Sequence, residues 1–126
     1  TRRSSDLAGV ATYMCGGLIR AEEMSLTGKE AVDGFSRYYF DAVLLGASGM
    51  TADGVFDYSP EEVAVKTVFL QQSVECVLLL DSTKFRRIST VLIATLREIS
   101  TLITDAPPPP ELAAVLAESG VRVIVG

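Results

Sequence analysis

Ala42-Val43-Leu44-Leu45 runs directly into Gly46-Ala47-Ser48-Gly49. The same change of character recurs twice. Cys76-Val77-Leu78-Leu79-Leu80 gives way to Asp81-Ser82-Thr83-Lys84, and Leu102-Ile103 to Thr104-Asp105. Each is an apolar run with the length of a buried strand that empties into a polar or glycine-rich loop. In an open parallel α/β sheet, ligands bind outside the carboxyl ends of the strands. The pattern therefore predicts a rim on which Ser48, Asp81, Lys84 and Asp105 stand with backbone N–H groups exposed between them. Such a rim suits a small, anionic, hydroxyl-rich ligand.

Helix signals lie between the runs. Ser59-Pro60-Glu61-Glu62 places serine at the N-cap, proline at N1 and glutamate at N3, a capping box whose two acids suit the helix dipole. Val63, Ala64, Thr67, Val68, Gln71 and Val74 carry that helix to about Glu75. Ala31, Val32, Phe35 and Tyr38 or Tyr39 recur at helical spacing after Gly28, in a helix weakened by Gly34. Pro110, the last residue of a stiff tetraproline, opens a third helix with Leu112, Ala113, Val115 and Leu116 inward and Gly120 at C′. Val10–Cys15 reads as a strand stopped by Gly16-Gly17, followed by a connector over 18–26. Strands are expected at 42–47, 76–80, 101–104 and 121–125. Residues 48–58, with Gly49, Asp53-Gly54 and Asp57, read as loop. Phe85–Arg97 is ambiguous, with Val91-Leu92-Ile93-Ala94 favouring a strand. This alternation predicts βαβ units and one α/β domain over 1–126: a mainly parallel sheet with flanking helices.

Composition narrows the function classes. The chain has 126 residues, 48% of them hydrophobic, and a formal net charge of −5. An acidic balance argues against nucleic-acid binding by this segment, because phosphate contacts need clustered Lys and Arg. No apolar stretch approaches the roughly 20 residues of a membrane span, and no signal-peptide pattern is visible. A cytoplasmic protein without membrane contact is expected, and Cys15 and Cys76 are read as reduced core thiols. With no histidine and no paired cysteine spacing, neither a metal nor another cofactor is expected. The start without methionine and the abrupt end predict a piece of a longer protein.

An ordered series of short motifs carries a family resemblance. Gly16-Gly17-x-x-Arg20, Ser25-Leu26-x-Gly28 and Phe40-Asp41-x-x-x-x-Gly46-Ala47-Ser48-Gly49-Met50 come first. Glu61-Glu62-x-Ala64-Val65-Lys66, Asp81-Ser82-x-Lys84-Phe85 and Leu102-Ile103-Thr104-Asp105 follow. The set, over about residues 14–126, resembles the C-terminal effector-binding domain of DeoR-family bacterial transcription regulators. The resemblance implies a fold shared with ribose-5-phosphate isomerase and glucosamine-phosphate deaminase, and a phosphorylated sugar or related metabolite as effector. It also implies a winged helix-turn-helix, absent here, that binds DNA, usually as a repressor in dimers or higher oligomers. Against the family pattern, the first strand–loop–helix of the sensor domain is expected to be missing too.

The resemblance separates binding from catalysis. Ribose-phosphate isomerases carry paired acids where this chain has Gly46-Ala47-Ser48-Gly49, and a second carboxylate where it has Val65. Enediol chemistry needs a positioned base, which Ser48, Gly49 and Val65 do not supply at neutral pH. A non-catalytic sensor is the simpler reading. An isomerase-like enzyme using Asp81 and Lys84, and a purely oligomerising module, are the alternatives.

The expected ligand-binding residues are Arg20, Gly46, Ala47, Ser48, Gly49, Asp57, Lys66, Asp81 and Lys84. Each has a plainer reading beside it. Gly46–Gly49 is a nest for an anion or an ordinary tight turn. Asp81 accepts sugar hydroxyls and Lys84 neutralises a phosphate, or the two bridge each other three residues apart. Lys66 meets the ligand or pairs with Glu62 at i,i+4. Asp57 touches hydroxyls or bonds within its loop. Arg20 is the cation nearest Gly16-Gly17 that could meet a phosphate. Asp105 is read as a cap for the turn after it, and Arg86-Arg87 as a solvated pair.

Overall fold

A computed structural model describes residues 9–126. Its centre is a four-stranded, wholly parallel sheet in the order β3-β6-β8-β9: β3 is Phe40–Leu45, β6 Ser73–Leu79, β8 Thr101–Thr104 and β9 Arg122–Val125. An antiparallel sheet of β4 (Gly49–Thr51), β5 (Gly54–Asp57) and β7 (Val91–Ala94) stands beside it. Near the start, β1 (Leu18–Arg20) and β2 (Ser25–Thr27) form a hairpin. The helices are α1 (Lys29–Phe35), α2 (Pro60–Gln72) and α3 (Pro110–Glu118). The α/β class, the parallel sheet and the three helices are those expected.

Parallel strands need crossovers, and the sheet steps steadily from β3 to β9. Side chains alternate across the pleat. The inward set Val43, Leu45, Cys76, Leu78 and Leu102 forms one core with Met50 and Val55 of the small sheet, Ala94 of β7, and Leu112 and Leu116 of α3. Phe69 and Leu70 of α2 pack against the same cluster. Phe69 also holds α1 and β3 together. Its ring lies edge-on to Phe35 at 4.7 Å and to Phe40 at 6.0 Å.

Four expectations change. Val10–Cys15 forms no strand; the chain has no regular structure there and pairs only from Leu18, because β propensity without a partner strand gains no ladder. Gly17, at φ 141°, lets the chain pass α1, where a Cβ would stand 2.9 Å from the Ala31 Cβ. Residues 48–58 are not loop but the β4–β5 hairpin, turned at Ala52-Asp53, and its stability comes from pairing with the distant β7. The α2 helix stops at Gln72, since Ser73 and Glu75 already pair with Phe40 and Ala42 of β3. Of the two cysteines, only Cys76 lies in the core, and burial pushes its thiol up to about 11; Cys15 is half-buried.

The capping box is half made. The Ser59 hydroxyl accepts the Glu62 N–H at 3.3 Å. The Glu62 carboxylate is instead drawn to Arg20 (3.3 Å) and Ser25 (2.8 Å), which fastens the β1–β2 hairpin onto α2.

Gly49 and Gly46 differ sharply in need. A Cβ on Gly49 would fall 2.2 Å from the Arg87 carbonyl oxygen, whereas one on Gly46 meets nothing within 4 Å. Gly49→Ala should therefore lower stability by about 2 kcal/mol, the scale of overpacking, and Gly46→Ala by much less. Thermal unfolding followed by circular dichroism distinguishes the two.

Candidate functional site

The parallel register brings the carboxyl ends of all four long strands to one edge. Leu45 aligns with Leu78, Leu79 with Ile103, and Thr104 with Val125. Three loops leave from that edge: Gly46–Gly49 after β3, Asp81–Lys84 after β6 and Asp105 after β8. Met50 bridges to Phe85, so the first loop runs beside the second. Leu79, Leu80, Asp81, Ile103, Thr104 and Asp105 line an open hollow of about 420 Å³.

Each polar group at this edge already has a partner. Ser48 donates both its N–H (2.9 Å) and its hydroxyl (3.2 Å) to the Phe56 carbonyl, which ties the first loop to β5. Asp81 caps the short 3-10 turn Ser82–Lys84, accepting from the Thr83 hydroxyl and, at 2.9 Å, from its N–H. Those bonds, the hydroxyl first, hold its carboxyl below the usual carboxylate range. The Lys84 ammonium stands 3.9 Å from Asp81, a loose contact of the i,i+3 kind. Asp105 does not cap the turn after it. It accepts the Ser82 N–H (2.6 Å) and hydroxyl (3.3 Å), lacing the β8 loop to the β6 loop.

Lys66 and Asp57 form the tightest feature. The Lys66 ammonium donates to the Asp57 carboxylate at 2.5 Å and to the Gly46 carbonyl at 2.8 Å. Asp57 is the last residue of β5 rather than a loop residue; its side chain is 4% exposed and also accepts the Tyr58 N–H at 2.9 Å. The expected Lys66–Glu62 pair is absent among the described ion pairs. Helical spacing permits it, but the Glu62 carboxylate is taken by Arg20 and Ser25, which leaves Lys66 to the buried Asp57.

Arg20 stands in a different network. It donates to the Ser59 hydroxyl at 2.7 Å and to Glu62, at the start of α2. Nearby, the Tyr58 hydroxyl donates to Glu23, which pushes the phenol up to about 12. Arg86 is not simply solvated; it pairs with Glu111 of α3. The structure thus groups Gly46, Ala47, Ser48, Gly49, Asp57 and Lys66 around the first loop and Asp81, Lys84 and Asp105 around the second and third. Sequence reading missed Glu62, Ser25 and Ser82 as partners, since nothing in their spacing pairs them with residues some 20 to 40 positions away. Among the described residues there is no cluster able to hold a metal ion, and no helix is long and apolar enough to cross a membrane.

Comparison with known proteins decides the family. The model of the DeoR C terminal sensor domain matches residues 3–106. This chain belongs to the DeoR sensor-domain family. The HTH-type transcriptional repressor GlcR of Bacillus subtilis (strain 168) is 31% identical over 121 residues, covering 96% of this chain and 47% of that protein. The glycerol-3-phosphate regulon repressor of Escherichia coli (strain K12) is 28% identical over 111 residues, covering 87% and 44%. Its Haemophilus influenzae counterpart is 32% identical over 96 residues, covering 75% and 37%. The chain spans less than half the length of these curated relatives. DeoR sensor-domain membership makes this a regulatory domain rather than an enzyme.

The Lys66–Asp57 pair yields an asymmetric prediction for this DeoR sensor domain. Lys66→Met orphans a buried carboxylate and should cost about 3 kcal/mol or more. Asp57→Asn leaves a lysine whose side chain is 20% exposed and flexible enough to reach water, so its cost should be nearer about 1 kcal/mol. Urea denaturation of the two variants checks the order.

Proposed function

We propose that this domain binds a phosphorylated sugar or a related small phosphate ester at the carboxyl edge of its parallel sheet, and that binding alters how a linked helix-turn-helix domain holds operator DNA, most simply as a repressor. The observation that carries the reading is the shared edge: three polar loops leave it, and an open hollow lies where the second and third begin, at Asp81 and Asp105. The relatives' names support the class, since two of them are repressors of a glycerol-3-phosphate regulon.

The geometry divides the labour among the candidate residues. Lys84 is the least committed cation at the edge, held only by a 3.9 Å contact to a partly exposed Asp81, so it is the natural phosphate partner. Asp81 and the first-loop backbone, apart from the Ser48 N–H held by Phe56, then face the hydroxyls. Lys66 and Asp57 are spent on each other and brace the first loop, positioning it rather than touching ligand. Arg20 serves the hairpin. The regulatory step needs a ligand that prefers one arrangement of the assembled regulator over another, because equal affinity shifts nothing. A homo-oligomer supplies two such arrangements most directly.

The test is a thermal-shift series on the complete regulator, with pentose, hexose and triol phosphates against their unphosphorylated counterparts. A ligand at a hundredfold its dissociation constant adds about 2.7 kcal/mol, a shift of several degrees. At least one phosphorylated compound should produce it, its unphosphorylated partner should not, and Lys84→Ala should remove it. A flat response to every phosphate ester would overturn the reading and favour a domain that only oligomerises.

A further inference from the structure

A second cavity, of about 320 Å³, lies between α3, the β4–β5 turn and the loop that follows Ser82–Lys84. It shares no lining residue with the hollow at the loop edge. Ala52 of the turn, Ile88 of the loop, and Leu112 and Val115 of α3 form its walls. Positions three apart share a face of a helix, so Leu112 and Val115 stand together; Leu112 is buried in the core and Val115 is half-buried beside it. Ile88 is 73% exposed, an apolar side chain at the lip of an apolar hollow. Thr51 supplies the one hydroxyl of the lining, and it already accepts the Asp53 N–H at 3.1 Å.

Arg86 and Glu111 bring opposite charges to the mouth of this cavity, their side chains 66% and 62% exposed. The guanidinium reaches a single carboxylate oxygen. Its Nε donates to Glu111 Oε1 at 2.7 Å, and Nη2 contacts the same atom. That leaves Nη1 and Oε2 outside the pair. Arg86 holds its place from a left-handed backbone, φ 60°, which is unfavourable for a residue with a Cβ. The loop beside it is firmly seated, with the Arg87 carbonyl packed against Gly49. An ion pair this exposed adds little stability, so it does not by itself offset the strain.

We propose that this cavity binds a free aliphatic α-amino acid of the leucine, isoleucine or valine kind. The side chain lies between α3 and the β4–β5 turn, the carboxylate on Arg86 and the ammonium on Glu111. Three properties select that class. The volume is at the low end for small-molecule sites, roughly 300–1,000 Å³, which suits a branched hydrocarbon and excludes a nucleotide. The apolar walls disfavour a sugar, whose hydroxyls would lose water there without gaining partners. The mouth offers a cation and an anion side by side. A zwitterion satisfies both, whereas a fatty acid or an amine satisfies one and meets the like charge of the other. Arginine's several donors let it take a carboxylate while keeping Glu111. Such a ligand is a second signal beside the phosphate ester, and Arg86 follows Lys84 by two residues, so the two sites share one loop.

Thermal unfolding of the complete regulator in phosphate-free buffer tests this site without any sugar phosphate, so its outcome is independent of the effector reading. L-Leucine, L-isoleucine and L-valine are compared with three controls: isocaproate, which lacks the ammonium, isoamylamine, which lacks the carboxylate, and L-serine, which lacks the apolar side chain. A ligand at about a hundredfold its dissociation constant raises the midpoint by several degrees. At least one of the three aliphatic amino acids should do so, and none of the controls should. Arg86→Gly removes the guanidinium and suits the left-handed backbone, so the variant folds, and it should abolish the shift. Val115→Phe, which fills the cavity, should do the same, while Lys84→Ala should leave the shift intact. No shift with any of the three amino acids overturns the proposal. So does a shift that survives Arg86→Gly, which would put the amino acid elsewhere. An equal shift from isocaproate or isoamylamine also overturns it, since the paired charges would then select nothing.

Discussion

The parallel pairing of β3 with β6 is the constraint from which the rest follows. Two parallel neighbours cannot be joined by a tight turn, so the chain has to travel back along the molecule between them. It spends that distance on the β4–β5 hairpin and α2, and the handedness of the return puts both on one face. The same pairing points β3 and β6 the same way, and β8 and β9 follow in register. One edge of the sheet thus collects every strand-to-loop transition, and one face collects every crossover.

The loops at that edge are held by a lattice of short-range and cross-loop bonds. Ser48 is fastened to Phe56, Asp105 to Ser82, Asp81 to Thr83, and Lys66 to both Asp57 and Gly46. A buried ion pair such as Lys66–Asp57 adds little net stability compared with apolar packing, yet it fixes geometry, because separating its partners leaves a charge out of water. The lattice fits a recognition surface whose backbone is set before any ligand arrives, which lowers the ordering cost of binding.

A second polar centre lies at the start of α2, away from the edge. There Glu62 leaves its capping role to bind Arg20 and Ser25, and Ser59 accepts from Arg20 while capping the helix. The β1–β2 hairpin has few apolar contacts of its own, with Leu18 and Ile19 each 69% exposed, so these polar bonds do much to hold it in place. A two-stranded hairpin is marginal by itself, which is why its anchoring falls to charged and hydroxyl groups on a neighbouring helix.

Much of the architecture was legible in the residues. The strands at 42–47, 76–80, 101–104 and 121–125, the Ser59-Pro60 helix start and the Pro110 helix follow from hydrophobic runs, proline at N1 and a serine cap, all of which act over a few residues. The family, too, was readable from ordered short motifs. What lay beyond reach was every feature set by a partner distant in sequence. The β4–β5 hairpin was hidden because its stability comes from β7, and Val10–Cys15 misled because β propensity is idle without a neighbour. Lys66 meets Asp57 while Glu62 is held by Arg20 and Ser25, and Asp105 meets Ser82, because contacts across the fold override helical or local spacing. The sequence by itself determined the four strands of the parallel sheet, the three helices and their alternation. Only the tertiary structure decided which charges meet, and that one face of the sheet collects every crossover, since both depend on how far-apart segments are brought together rather than on what any one segment prefers.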